Sequence, residues 1–161
     1  MFVATFVFSV LYFFIASVTN GAMSPVASYD RAVAAEMKKQ MAGGVALKGD
    51  AATLLKLIKD EESMKMGANI FSANCVACHG RDGSGVTGPN LTDDSYIHVT
   101  KVQDIYDVVT KGRNNGAMPP WGSRLSANEV VMVSAYAASL RGQNKPGRPP
   151  EGKPIAAWSA Q

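Results

Sequence analysis

The chain has 161 residues, 47% hydrophobic and 18% charged, room for one domain with a modest core plus an added apolar segment. A formal net charge of +3, with no block of Lys or Arg, excludes nucleic acid from the expected partners. Two cysteines, both in one short stretch, exclude a disulfide framework.

No Asp, Glu, Lys or Arg occurs before Asp30, and Phe2 to Val18 reads as an uninterrupted apolar run. As a helix such a run rises about 26 Å, slightly less than a hydrocarbon core of about 30 Å, and the uncharged residues after it extend the span. The alternative is a cleaved secretory signal, which wants a basic start and small residues before the cut. Neither is present: Asn20 or Pro25 would stand at −3 for cleavage after Ala22 or Ala27. Residues 1–29 are therefore expected to be a membrane anchor. Arg31, Lys38 and Lys39 would place the following chain in the cytoplasm by charge bias. The motif described below requires the opposite side and is the more specific signal.

A helical stretch is expected over Tyr29–Met41, within a juxtamembrane linker of residues 30–60. Asp50 caps a second helix with Leu54, Leu55 and Ile58 on one face, and the charged residues 60–63 read as a bend. Met64 to Ala73 is a third helix, with Gly67, Ile70 and Phe71 at packing spacings, and it runs into Cys75-Val76-Ala77-Cys78-His79.

That pentapeptide is the attachment signature of a c-type haem. On one helical turn two cysteines reach the two vinyl groups of one porphyrin, and the following histidine projects onto the iron from the same side. A redox dithiol would want a βαβ setting. A zinc site needs four ligands, and Cys75, Cys78, His79 and His98 could converge on one ion only under strain. One covalent haem c is therefore expected, held by Cys75 and Cys78 and ligated by His79. Its attachment takes place outside the cytoplasm.

Residues 80–98 are loop, broken by Gly80, Gly83, Gly85, Gly88 and Pro89. Pro89 is expected to turn it so that a backbone carbonyl accepts the His79 ring N–H, fixing the tautomer. Thr100 and Gln103 read as a capping box opening a helix through Ile105, Val108 and Val109 to Gly112. In the loop after it, Met118 precedes Pro119 and Pro120, whose stiffness suits the presentation of a weak thioether ligand. Met118 is the candidate sixth ligand of the iron, with His98 as the alternative. Tyr96, Arg113 and Trp121 are candidates to meet the haem propionates. Ser126 and Glu129 box the last helix, with Val130, Val133, Ala137 and Leu140 facing the core. The Gly/Pro-rich residues 142–161 read as an extended, solvated tail. No strand is expected.

These stretches resemble a known family. Cys75–His79, Gly88–Asp94, Tyr96–His98, Asp104–Tyr106, Met118–Trp121 and Ser139–Gly142 are similar to class I cytochrome c. In particular they resemble the haem domain of the membrane-anchored cytochrome subunit III of cbb-type haem–copper oxidases. The resemblance covers about residues 61–153 and implies an all-α class I cytochrome c fold with long haem-wrapping loops, preceded by an N-terminal transmembrane helix. It implies His79 and Met118 as axial ligands, with Pro89, Leu91, Tyr96, Arg113 and Trp121 around them, in a domain of residues 61–141.

The function it implies is single-electron transfer, non-catalytic by itself, on the periplasmic face of a bacterial cytoplasmic membrane. Electrons would pass from a donor cytochrome or quinol-oxidising complex to the catalytic subunits of the oxidase. Many family members carry two haem motifs, and this chain has one. The alternatives are a free or anchored periplasmic shuttle, a subunit of another respiratory complex, or an open-iron haem enzyme or sensor.

Overall fold

The computed structural model describes residues 2–22 and 46–159, so the helix expected over Tyr29–Met41 lies outside the described residues. Two units separate, Met1–Gly44 and Val45–Gln161. In the first, helix α1 (Phe2–Ala22) carries apolar side chains that are exposed from Val3 to Ile15. Among the described residues no helix is long and apolar enough to cross a membrane. Side chains of α1 are described only from residue 3 to residue 15, so the transmembrane helix expected here rests on sequence.

The second unit is built from capped helices. Asp50 accepts the Thr53 N–H at 2.8 Å and opens α2 (Ala51–Ile58). Leu54 and Leu57 face inward, and Leu55 and Ile58 are half-buried, a stripe turned slightly from the expected one. Residues 60–63 are not a separate bend. The Asp60 carboxylate accepts the Ser63 N–H at 2.9 Å, and Glu61 and Glu62 sit in the first turn, where the helix dipole favours acids. The helix α3 therefore runs Glu61–Asn74 and not from Met64. It hands over at Cys75 to the single turn α4 (Val76–His79).

In the following helix α5 (Val102–Lys111) the cap lies one residue beyond the expected Thr100. The Asp104 carboxylate, not Gln103, gathers Thr100 N–H, Thr100 Oγ1 and Lys101 N–H at 2.8–2.9 Å. The last helix, α6 (Ala127–Leu140), opens as read, with Ser126 N–H donating to Glu129 at 2.8 Å and Glu129 N–H back to Ser126 Oγ.

Helices α2, α3 and α5 all pack on α6. That explains why the six consecutive residues Val130–Ala135 are buried, since a helix covered on several sides has no polar face. The α3–α6 crossing is close because Gly67 sits at it. A Cβ there would lie 2.6 Å from the Met132 carbonyl oxygen and 2.7 Å from Tyr136 Cβ. Phe71 and Tyr136 complete the contact with ring centroids 5.3 Å apart.

Two short strands occur where none was expected. Ser95–Tyr96 (β1) and Lys153–Pro154 (β2) pair antiparallel, with Ser95 opposite Pro154 and Tyr96 opposite Lys153. The tail is accordingly not solvated throughout. It turns back over the 84–96 loop, and its Trp158 donates from Nε1 to the Ala138 carbonyl at 3.0 Å. Arg141 lies over the Trp158 ring, 4.8 Å from its centroid, and Tyr96 meets the same ring edge-on at 5.7 Å.

Candidate haem site

The turn after α3 directs Cys75, Cys78 and His79 to one side. Backbone N–H groups of Cys78 and His79 both donate to the Cys75 carbonyl, at 3.1 and 2.9 Å, which winds the turn tightly. All three residues line a cavity of about 300 Å³. Its other walls bring together Pro89, Leu91, Tyr96, His98, Arg113, Met118 and Trp121, so every site residue singled out in the sequence borders the same space.

The loop returning from α4 wraps the motif. Gly85 N–H donates to the His79 carbonyl at 2.7 Å, and the N–H groups of Val86, Thr87 and Gly88 all converge on the Cys78 carbonyl at 2.8–3.1 Å. This brings the Pro89 carbonyl 3.0 Å from His79 Nδ1. With the Nδ1 proton so engaged, the other ring nitrogen, Nε2, is left as a lone-pair donor. Burial holds the His79 ring below the usual histidine range, although the Pro89 bond pulls the other way, so the ring is neutral and able to ligate.

Met118 comes from a tight hairpin. Arg113 N–H donates to the Met118 carbonyl at 2.9 Å and Met118 N–H to the Arg113 carbonyl at 3.2 Å. At its root Gly112 holds φ +69°, and a Cβ there would run into the Met118 carbonyl and lie 2.8 Å from Pro119. The Arg113 guanidinium caps the adjoining Gly112 carbonyl at 2.9 Å. Trp121, in a short 3-10 turn, carries Arg124 5.5 Å from its ring centroid.

Tyr96 donates to the Leu91 carbonyl at 3.2 Å, and burial pushes its phenol up, keeping it a neutral donor.

The donor set fits a covalently attached porphyrin better than its rivals. Burial, with Cys78 beside it, pushes the Cys75 thiol up to about 11, whereas a redox dithiol needs a lowered value. Among the described residues no three His, Cys, Asp or Glu side chains gather as a metal ion alone would require. A cavity whose lining includes Phe71, Val99, Ile105, Val109 and Val133 together with Cys75, Cys78 and His79 suits an apolar macrocycle.

Residues 62–136 match the family model "Cytochrome C oxidase, cbb3-type, subunit III". This segment is similar to a c-type cytochrome domain. Its prosthetic group is haem c. The domain is similar to the cbb3-type oxidase subunit FixP of Azorhizobium caulinodans, 38% identical over 52% of this chain and 29% of that one. It is also similar to the subunit CcoP of Rubrivivax gelatinosus, 40% identical over 53% of this chain and 29% of that one. The chain thus spans under a third of the length of these relatives. Among solved structures, cytochrome cL from Methylophaga aminisulfidivorans is similar at 27% identity and a TM-score of 0.47, covering 50% of this chain and 56% of that one.

Three residues around the cytochrome site escaped the sequence reading. Asn74, on the last turn of α3, and Asn90, beside Pro89, line the cavity, as does Glu151 of the tail. Asn90 was legible only as part of the loop, and Glu151 was hidden by the Gly/Pro composition around it.

Proposed function

We propose that this chain is a one-electron carrier with a single haem c ligated by His79 and Met118. We further propose that it serves a cbb3-type oxidase as the subunit through which electrons enter. The observation that supports this is the meeting, at one cavity, of the Cys75–His79 turn and the Met118 hairpin, within the segment that matches subunit III.

A haem c held by Cys75, Cys78, His79 and Met118 would supply single-electron exchange and leave no open position for a substrate. The chain's residues supply the rest. Cys75 and Cys78 tether the ring, the Pro89 carbonyl orients His79, and the hairpin and its prolines hold Met118 against dissociation. Phe71, Ile105 and Val133 give the pocket an apolar wall. Methionine ligation favours a higher potential than a second histidine would, suiting a carrier that feeds a terminal acceptor.

In this reading α1 anchors the chain in the bacterial cytoplasmic membrane with the haem domain in the periplasm, supported by the charge-free run from Phe2 to Val18. A donor cytochrome or quinol-oxidising complex delivers the electron, and the oxidase's catalytic subunits receive it.

The test is expression of the full chain in a host competent for haem attachment. The wild type should carry haem that survives acid–acetone extraction and show the near-infrared sulfur-to-iron band. Met118→Ala should lose that band, keep the covalent haem and gain affinity for added carbon monoxide. A colourless wild type would refute the carrier reading. Failure to co-purify with oxidase catalytic subunits from mild detergent would leave the shuttle in place of the subunit.

A further inference from the structure

The tail does more than cover the loop. Its bonds land on the stretch that carries the Pro89 carbonyl. Arg148 N–H donates to the Ser84 carbonyl at 2.9 Å, and its guanidinium Nη1 reaches the Thr87 carbonyl at 3.2 Å and that of Val86 at 3.5 Å. Glu151 fixes the guanidinium from the other side, with Nε at 2.9 Å and Nη2 at 2.6 Å. Asn90, 6% exposed, is spent entirely in this junction. Its Nδ2 donates to the carbonyls of Lys145 and Arg148 at 3.3 and 3.2 Å, and its Oδ1 accepts from Thr92 N–H and Oγ1 at 2.8 and 2.7 Å. Thr92 in turn accepts Asn144 N–H on its carbonyl and Lys145 N–H on its hydroxyl, both at 2.9 Å.

Loop residues 85–88 are therefore gripped on two sides, by the Cys78 and His79 carbonyls within and by the tail without. Pro89 stands between the Arg148-bound carbonyls and Asn90 and has no N–H of its own to hold it.

We propose that Arg148 and Asn90 are positioning residues for the axial histidine: through them the 144–155 strap fixes the Pro89 carbonyl on the His79 Nδ1 proton and so sets the strength of His79 as a ligand. The inference rests on His79 being the iron ligand. A histidine whose second ring nitrogen donates to a well-placed carbonyl is a stronger donor to its metal. Stronger donation favours the oxidised iron, so loosening the strap raises the reduction potential.

The experiment uses the full haem-loaded chain as Arg148→Ala and Asn90→Ser, with Ser126→Ala as a control that weakens a helix cap remote from the strap. Two quantities are read: solvent exchange of the His79 Nδ1 proton by NMR in the reduced protein, and the reduction potential. Both strap variants should speed that exchange by about tenfold, as the hydrogen bonds each side chain makes in the junction are lost, and shift the potential upward. The control should change neither while losing thermal stability. Strap variants that melt lower yet match the control in exchange and potential would overturn the proposal. Should Arg148→Ala retain no haem, Arg148→Lys, which keeps the charge but not the fork, is read with Asn90→Ser, and unchanged exchange in both has the same force. A wild-type Nδ1 signal without the shift of an iron-bound ring would overturn the ligand reading itself, an outcome distinct from silent variants.

Discussion

Gly112 shows how much of the site depends on a single backbone position. It ends α5 in the left-handed region, and the Met118 and Pro119 backbone passes where its side chain would be. Gly112→Ala meets both a conformational cost of about 1–3 kcal/mol and a clash with the hairpin that presents Met118. The expected result is a protein that still attaches haem through Cys75 and Cys78 but whose near-infrared band fades at a lower temperature and a lower alkaline pH than in the wild type. An unchanged band across both titrations would show that the hairpin does not depend on this residue. That Cys75–His79 and Met118 border one cavity follows signals each confined to five or six residues, a spaced cysteine motif and a methionine before two prolines. What Asn90 does was not legible in the sequence, since its partners Lys145 and Arg148 lie 55 and 58 residues away.

At the scale of elements, caps decided where the helices begin, and their legibility varied with how local their bonding is. The Ser126–Glu129 box is reciprocal and was read directly. Replacing Ser126 with Ala should lower stability by about 1 kcal/mol, seen as a lower denaturation midpoint with unchanged haem absorption. The expected Thr100–Gln103 box was displaced because Asp104, one residue further on, accepts all three nearby donors. The 60–63 segment was misread as a bend because its charge suggested solvent, whereas acids at a helix start are favoured by the exposed N–H groups they face.

Those cap carboxylates also carry a pH dependence. Hydrogen bonds from Thr53 hold Asp50, and bonds from Ser63 hold Asp60, below the usual carboxylate range. At Asp104 burial pushes the carboxyl up, but the Thr100 and Lys101 bonds outweigh it and the net shift is downward. Groups lowered on folding stabilise fully above the unfolded value, about pH 4, and lose that contribution as the pH falls through the lower folded value. These three carboxylates should add no slope to the melting temperature between neutral pH and about pH 5 and should lower it below about pH 4. Asp60→Asn, which keeps a capping oxygen without its titration, should flatten the acid limb; an equally steep limb would remove Asp60 from the account.

For the whole molecule, the class of fold was readable and its closure was not. Helical periodicity, the glycine at the α3–α6 crossing and the cysteine motif together located a helical domain around the haem-attachment turn. The tail read as solvated because Gly, Pro and Arg between residues 142 and 152 show no periodicity at all. Its order comes from carbonyls and N–H groups of a distant loop, which composition does not encode.

The pairing of β1 with β2 has a kinetic consequence. Joining segments separated by more than fifty residues costs chain entropy that no nearby contact repays, so such a junction forms after the helices have already met. Two residue pairs at the rim of the domain are also the cheapest part of it to undo. Amide protons of Tyr96 and Ile155 should consequently exchange through a partial opening, well ahead of those of Val131 and Val133, leaving the helical core intact while the flap over the prosthetic group lifts and reseats.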